Sequence, residues 1–242
     1  MKWVLALATG AATAASFLAP PAAQFSDPEL ARIIFFHLPC AFAATVFFIM
    51  GAYLGIRALN DGLTADVKAV AANEMAMVLA LLTMATGMLF SKVQWGAWWS
   101  WDPRQTSFLF VLLIYGAYFA LRAAISDDDQ RAKIAGAYSA FSVLPMLFLV
   151  FVFPRIPAVM QKSLHPSTTI SQGEFSGIYW SVVLSVFVCL LVICLWLYRL
   201  AVRAGLMELR FKNEYNERNN GNSPTPRVVR PVSLSPEGGK ED

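Results

Sequence analysis

The sequence has few charged residues and few of the side chains on which enzymes commonly depend. Only 14% of its 242 residues are charged, and it contains three cysteines and two histidines. The absence of a C-x-x-C pair argues against a thiol oxidoreductase and against a structural zinc site. Motifs for nucleotide binding, nucleophile elbows and zinc proteases are also absent. The chain therefore lacks the residues for nucleotide hydrolysis or for a familiar hydrolase mechanism.

Long apolar runs are what the sequence has in abundance. It is 57% hydrophobic, with a mean hydropathy of +0.53, which is far from the balance of a soluble domain. We predict an all-α integral membrane protein with a six-transmembrane helical bundle, because six runs can cross a hydrocarbon core of about 30 Å: about 3–19, 31–58, 69–90, 105–125, 132–153 and 177–203. All three cysteines, Cys40, Cys189 and Cys194, fall inside these spans, where free cysteine behaves as a small apolar residue.

The two ends of the chain carry further predictions. The first segment, Met1–Pro21, has one lysine, an apolar run and small residues, so a cleaved signal peptide is an alternative that leaves five helices. Residues 1–205 are predicted to form the transmembrane domain. Residues 206–242 form a tail on the cytoplasmic side that, from Asn213, lacks apolar periodicity and is predicted to be disordered.

Lysine and arginine positions predict the orientation, because positive residues are retained on the cytoplasmic side. With both termini inside, the short outer connections are about 20–30, 91–104 and 154–176, and the outer positive residues in or beside them are Arg32, Lys92, Arg104, Arg155 and Lys162. The inner set is larger: Lys2, Arg57, Lys68, Arg122, Arg131, Lys133, Arg199, Arg203, Arg210, Lys212 and Arg218. This distribution places both histidines on the outer face.

Four of the seven tryptophans lie in one outer connection, Trp95-Gly96-Ala97-Trp98-Trp99-Ser100-Trp101-Asp102-Pro103-Arg104. The first three fall at i, i+3 and i+4, which predicts a short helix with one aromatic side. The cluster is either a platform for a flat apolar ligand or an aromatic belt at the membrane interface. Asp102 and Pro103 also fit the N-cap and first position of the fourth membrane helix, which is a structural alternative to ligand contact.

This string resembles the tryptophan-rich WWD signature, roughly WGxWWxWDxR, of haem-handling proteins of cytochrome c maturation, and among them the CcmC (haem exporter protein C) family. The resemblance covers residues 1–205. It carries the signature to Trp95, Gly96, Trp98, Trp99, Trp101 and Asp102, and two axial histidines to His37 and His165. Pro103 occupies a position where a small residue is expected.

The resemblance implies a non-enzymatic subunit of the cell inner membrane that holds haem b. Such a protein presents haem at the periplasmic face and passes it to the haem chaperone CcmE, beside the ABC transporter of CcmA and CcmB and the small protein CcmD. Membrane lipid is its other contact, and we expect no nucleic-acid partner. The alternatives are a haem lyase component of the CcmF or CcsA type, which is generally longer and richer in histidine, and a structural assembly subunit of a respiratory complex.

The residues themselves are compatible with this chemistry. Asp27 and Pro28 predict a helix start, which brings His37 to about the outer edge of the hydrocarbon, with a kink at Pro39. His165 lies in the last outer connection, and two imidazoles beside an indole-rich loop can ligate haem iron. Haem propionates need cationic or hydrogen-bonding partners. Arg32, Arg104 and Gln94 lie at suitable depth, with Arg155 and Lys162 as alternatives. The alternative role for each arginine is to anchor the chain at the lipid headgroups.

Overall fold

A computed structural model of the chain describes residues 2–22, 25–165 and 177–219, and all of its regular elements there are helical. The α-helices are α1 (Lys2–Leu18), α2 (Ile34–Asp61), α3 (Leu63–Trp95), α4 (Pro103–Ala124), α5 (Asp128–Leu147), α6 (Pro157–Met160) and α7 (Gly177–Asn219). A 3-10 segment, Leu30–Ile33, precedes α2. A π-helical segment, Phe148–Val152, and a 3-10 turn, Phe153–Arg155, follow α5.

Five helical stretches are long and apolar enough to cross a membrane. They are Leu30–Asp61, Leu63–Trp95, Pro103–Ala124, Asp128–Arg155 and Gly177–Asn219, and each contains one of the predicted spans from the second to the sixth. The first predicted span corresponds to α1, a shorter apolar helix. For the described part of the chain, an all-helical membrane protein is therefore confirmed, whereas the count of six spans stays a prediction.

Two predicted boundaries are wrong. The second span does not begin as an α-helix at Asp27 and Pro28, because a bend and a turn occupy residues 27–29, a 3-10 segment begins at Leu30 and α2 begins at Ile34. Asp27 still caps this start, since its carboxylate accepts the Leu30 N–H at 3.0 Å. The predicted tail is helical in part, because α7 continues to Asn219. The chain divides into two units, with the boundary between Ala204 and Gly205.

Helix α2 packs along both α3 and α5 through very close backbone contacts. A Cβ at Gly55 would lie 2.7 Å from the carbonyl oxygen of Gly136 in α5, so only glycine permits this crossing. Asn73 of α3 donates to Ser139 of α5 at 3.0 Å. Gly51 of α2 leaves room for this amide, because a Cβ there would clash with the Asn73 side chain. Small residues and interhelical hydrogen bonds of this kind are typical of helices packed in lipid.

A buried ion pair joins α3 to α4. Arg122 donates to both carboxylate oxygens of Asp66, at 2.6 and 2.9 Å, and both side chains are almost fully buried. A bidentate pair fixes the relative position of the two helices at this end. At their other ends, α3 stops at Gly96 and α4 begins after Asp102, so the tryptophan loop is suspended between two helices that are already held together.

Candidate functional site

His37 is the fourth residue of α2, and its side chain faces α3. Its Nδ1 is 3.0 Å from the hydroxyl oxygen of Thr86 on α3. The neighbouring residue, Gly87, leaves room for the ring, because a Cβ there would lie 3.0 Å from Cε1 of His37. The imidazole therefore rests directly on the backbone of α3.

His165 follows α6 and is held by Asp102, the residue before α4. The two atoms Nδ1 of His165 and Oδ1 of Asp102 are 2.9 Å apart, and the carboxylate side chain has no solvent exposure. The ring of His165 also meets the indole of Trp95 edge-on, with ring centres 5.2 Å apart. Residues 166–176, the rest of this outer connection, lie outside the described residues.

Asp102 accepts four hydrogen bonds from two segments of the chain, the first turn of α4 and residues 163–165. Oδ1 receives the N–H of Arg104 at 2.8 Å and the ring of His165, while Oδ2 receives the hydroxyl of Ser163 at 2.8 Å and the N–H of Leu164 at 2.6 Å. Burial by itself raises the pKa of Asp102, but the bonds and charge of His165, with those of Ser163 and Arg104, outweigh it and hold the pKa well below its ordinary value. Asp102 is therefore an ionised carboxylate at neutral pH.

Both histidines line the same cleft. Its walls include Arg104, Gln105 and Ser107 at the start of α4, further residues of α3, and part of the π-helical segment after α5. The cleft has about 660 Å³ of space not filled by atoms, including the part that is open to the outside. Within the described residues there is no group of three or more histidine, cysteine or acidic side chains arranged for a metal ion.

The tryptophan loop is irregular, so the predicted short helix over Trp95, Trp98 and Trp99 is wrong. Helix α3 ends at Trp95 because Gly96 adopts a left-handed conformation (φ 80°). The N–H of Gly96 donates the last hydrogen bond of the helix to the carbonyl of Lys92. Beyond Gly96 the chain is braced by side chains. Ser91 donates to the carbonyl of Ala97 at 2.8 Å.

Gln105 holds the second half of this loop. Its Oε1 accepts both the N–H and the hydroxyl of Ser100 at 3.2 Å, and its amide nitrogen lies 3.4 Å from the carbonyl of Trp98. Trp101 takes a positive φ of 55°, which a bulky residue adopts only where its surroundings enforce it. Because Gln105 also lines the cleft, the loop and the cleft share one wall.

The four indoles of the loop do different things. Trp95 is packed between the rings of His165 and Phe90. Trp99 and Trp101 meet edge-to-face at 5.6 Å, and the two most exposed indoles are Trp98 at 53% and Trp101 at 73%. The loop thus has exposed indoles at Trp98 and Trp101 and contacts a histidine through Trp95.

The predicted propionate partners have different surroundings in the structure. Arg104 lines the cleft. Arg32 pairs with Glu29 at 2.8 Å and donates to the carbonyls of Ser16 and Ala19 at the end of α1. Gln94 has both ends of its amide on the backbone of Asp27. The structure therefore brings only Arg104 of this set into the cleft.

The two alternative cations do not line the cleft, although Arg155 is near enough to Arg104 for the two positive charges to repel each other. Arg155 donates to the carbonyl of Phe151 at 2.7 Å and lies over its ring, and Lys162 is exposed after α6. Pro103 takes the first position of α4, where a proline costs no hydrogen bond, and Asp102 is the N-cap as predicted.

Sequence reasoning missed Thr86, Gly87 and Gln105. Thr86 and Gly87 are a hydroxyl residue and a glycine inside an apolar span. Their role was not visible because His37, the residue they contact, is distant in sequence. Gln105 lies only one residue beyond the signature-like stretch. A glutamine at the start of an apolar helix is a weak signal, since the first turn of a helix commonly carries polar residues.

Comparison with known proteins identifies the family. The sequence model described as "CcmC: Heme exporter protein C" matches residues 1–221. This chain belongs to the heme exporter protein C family. The match extends past residue 205, where the resemblance was expected to end, and includes the part of α7 that the sequence analysis assigned to a disordered tail.

Several relatives with this family's name are similar over most of their length. "Heme exporter protein C" of Rhodobacter capsulatus is 32% identical over 170 residues, which is 68% of this chain and 67% of the relative. The protein of the same name from Paracoccus denitrificans is 31% identical over 179 residues, 72% and 71% of the two chains. That of Escherichia coli K12 is 26% identical over 161 residues, 66% of each.

Membership of the heme exporter protein C family decides the class of function. Members are haem-handling membrane subunits of cytochrome c biogenesis and are not enzymes. The five long apolar helices of this chain agree with such a role.

Proposed function

We propose that this chain binds haem b at the outer, periplasmic face of the inner membrane and delivers it to the periplasmic chaperone CcmE. His37 and His165 supply the two axial ligands to the haem iron. The observation that carries this proposal is the convergence of the only two histidines of the chain on one cleft, although they are distant in sequence. Neutral imidazole is a good ligand for haem iron near pH 7.

Each imidazole is already oriented by a partner on its Nδ1. Thr86 holds His37 and Asp102 holds His165, both at hydrogen-bond distance. Ligating histidines usually engage their second nitrogen in this way, which fixes the ring and the tautomer. Nε2 is then the nitrogen that each ring offers to the iron.

Residues of the cleft wall and of the tryptophan loop offer contacts for the rest of the macrocycle. The porphyrin is flat and apolar, so exposed indoles such as Trp98 and Trp101 provide a stacking surface. Arg104, in the cleft wall, supplies the positive charge for a propionate. Trp95, Gly96 and Trp99 shape the loop that joins these parts.

The six-span topology, with α1 as the first span and both termini cytoplasmic, is part of the proposal. The excess of lysine and arginine in the predicted inner connections supports it. It places the outer connections 20–30, 91–104 and 154–176 in the periplasm. The contact between Trp95 and His165 supports a common side for the last two.

Energy for release has to come from other subunits, since the chain carries no nucleotide-binding motif. We assign that role to the ABC transporter formed by CcmA and CcmB, in a complex that also contains CcmD. Release requires that one axial bond is exchanged or that the contacts around the porphyrin are loosened. CcmE receives the haem at the periplasmic face.

The test is an absorption spectrum of the purified full chain, produced with and without its proposed partners. Bis-histidine ligation predicts a six-coordinate spectrum in the Soret and visible bands. His37→Ala and His165→Ala should each lower the retained haem or shift the bands, and added imidazole should partly restore both. Wild-type spectra from both single variants, without imidazole, would exclude ligation by this pair. A wild-type protein without haem would favour a structural assembly subunit.

A further inference from the structure

We infer that Thr86 is a positioning residue for haem ligation: its hydroxyl oxygen accepts the Nδ1–H of His37 and so directs the Nε2 lone pair into the cleft. This inference rests on the proposed role of His37 as an axial ligand. Thr86 lies outside the tryptophan loop and outside both histidine segments, in the middle of an apolar helix. Nothing in the sequence around it indicates haem chemistry.

The direction of the hydrogen bond follows from the other contacts of Thr86. Its Oγ1 lies 2.7 Å from the carbonyl oxygen of Leu82 and 3.1 Å from that of Thr83. A hydroxyl has a single hydrogen, and a carbonyl oxygen can only accept. The hydrogen of Thr86 is therefore directed along α3, and Oγ1 meets His37 with a lone pair. The imidazole must donate from Nδ1, which leaves Nε2 deprotonated.

The backbone beside Thr86 holds the ring in the same place. A Cβ at Gly87 would approach Cε1 of His37 to 3.0 Å, a distance that ordinary packing hardly tolerates. His37, Gly87 and Thr83 all line the cleft, so the ring is pressed against the wall of the cleft itself. Thr86 and Gly87 together determine how far Nε2 reaches toward a bound haem.

The two histidines thereby differ as ligands. His165 donates to an ionised carboxylate, whereas the partners of His37 are neutral, the Thr86 hydroxyl and the backbone carbonyl of Thr83. A carboxylate partner raises the basicity of an imidazole more than a hydroxyl does, because its full negative charge stabilises the donated proton. His37 is thus the weaker donor of the pair.

The first experiment needs no haem. The chain has two histidines, so labelling with ¹⁵N-histidine yields signals from only two imidazoles, provided that a tag without histidine is used. In haem-free protein in micelles, with His165→Ala for assignment, His37 should show the Nδ1–H tautomer. Thr86→Val, which keeps the shape and removes the oxygen, should shift the population toward Nε2–H, whereas Thr86→Ser should retain the wild-type tautomer.

The second experiment measures haem. Removal of such a partner typically lowers metal affinity by 10–100-fold, so Thr86→Val should reduce haem retention by at least about tenfold and should respond to added imidazole. Thr45→Val is the matched control, because Thr45 makes the same bond to the carbonyl four residues earlier, at 3.0 Å, on α2. That control and Thr86→Ser should retain haem.

The outcomes separate this inference from the proposed function. If wild type holds six-coordinate haem and Thr86→Val retains it equally, Thr86 has no positioning role while the proposed function stands. An Nε2–H tautomer of His37 in the haem-free wild type also overturns the inference. If wild type holds no haem in any preparation, the proposed function fails first, and the role of Thr86 fails with it.

Discussion

His165 and Asp102 lie 2.9 Å apart through Nδ1 and Oδ1, and this contact ties the connection after α6 to the first turn of α4. The same carboxylate caps α4 and receives Ser163 and Leu164. One side chain therefore ends the tryptophan loop, begins a membrane helix and orients a proposed iron ligand. A change in the loop cannot leave the histidine unaffected, because both depend on the same four hydrogen bonds.

Asp102→Asn should lower haem retention by about tenfold or more, because an amide has one acceptor oxygen and one donor nitrogen and cannot accept all four hydrogen bonds that hold His165 and its neighbours. Retained haem per protein, from the Soret band, is the measurement. Asp127→Asn is the matched control, since Asp127 caps α5 through the N–H of Gln130 at 2.7 Å. Equal losses in both variants would reduce the role of Asp102 to helix capping.

The pH dependence of stability is a second prediction for Asp102. Its pKa in the folded chain is lowered from the ordinary value of about 3.9, so the ionised form contributes stability that is complete above that value. This contribution is lost only as the pH falls through the lower pKa of the folded state. The thermal midpoint of wild type should therefore exceed that of Asp102→Asn from pH 8 down to about pH 5, and the difference should shrink in stronger acid. A difference already lost at pH 6 would contradict the assigned charge.

Sequence reasoning succeeded where a local rule determines the structure. Asp102 and Pro103 form the N-cap and first turn of α4 because both preferences act within two residues. The apolar runs also predicted the five long helices well. Spacing alone failed at Trp95 to Trp99, where Gly96 in a left-handed conformation ends α3 and removes the helical register that the prediction assumed.

The remaining site residues are fixed by contacts between distant segments. His37 meets Thr86 only because α2 and α3 pack closely, and that packing depends on glycines and alanines spread over both helices. Gln94 and Arg32 have chemistry suited to a propionate, yet local neighbours already hold them. Composition and depth therefore identify candidates, whereas the partners of each side chain decide which candidates enter the cleft.

Arg104→Gln should weaken haem retention by about tenfold, because the cleft loses a positive charge available to a propionate. Arg32→Gln is the matched variant, and it should instead reduce thermal stability, since Arg32 joins α1 to the start of the second span. Haem with esterified propionates sharpens the test. Wild type should bind it more weakly than haem, and Arg104→Gln should bind both alike. A wild type indifferent to esterification would exclude this role.

The exposed indoles allow the platform and the aromatic belt to be distinguished. Alanine at both Trp98 and Trp101 should leave the protein inserted, because five long apolar stretches supply most of the insertion energy. Haem retention should fall nonetheless, as stacking area is lost. Trp3→Ala, which removes an indole that is 84% exposed on α1, should change neither. Normal haem content with impaired insertion of the double variant would favour plain anchoring.

The docking of CcmE is the last prediction, and it follows from where the proposed ligands lie. His37 and His165 line one cleft, part of which is open to the outside, and Trp95 of the tryptophan loop contacts His165. A bound haem would therefore itself form part of the surface that a chaperone contacts. Association should then depend on loaded haem, because a partner that prefers the loaded state is recruited only as far as that state is populated.

Co-purification measures this dependence. CcmE should be recovered with the wild-type chain and lost, by about tenfold or more, with a haem-free His37→Ala/His165→Ala variant. Glu208→Gln, on the part of α7 beyond Ala204, should not alter the recovery, since the proposed topology places it on the cytoplasmic side. Equal recovery with wild type and the double variant would show that haem is no part of the docking surface. Recovery through residues 205–242 alone would overturn the assigned orientation, because CcmE is proposed to reside in the periplasm.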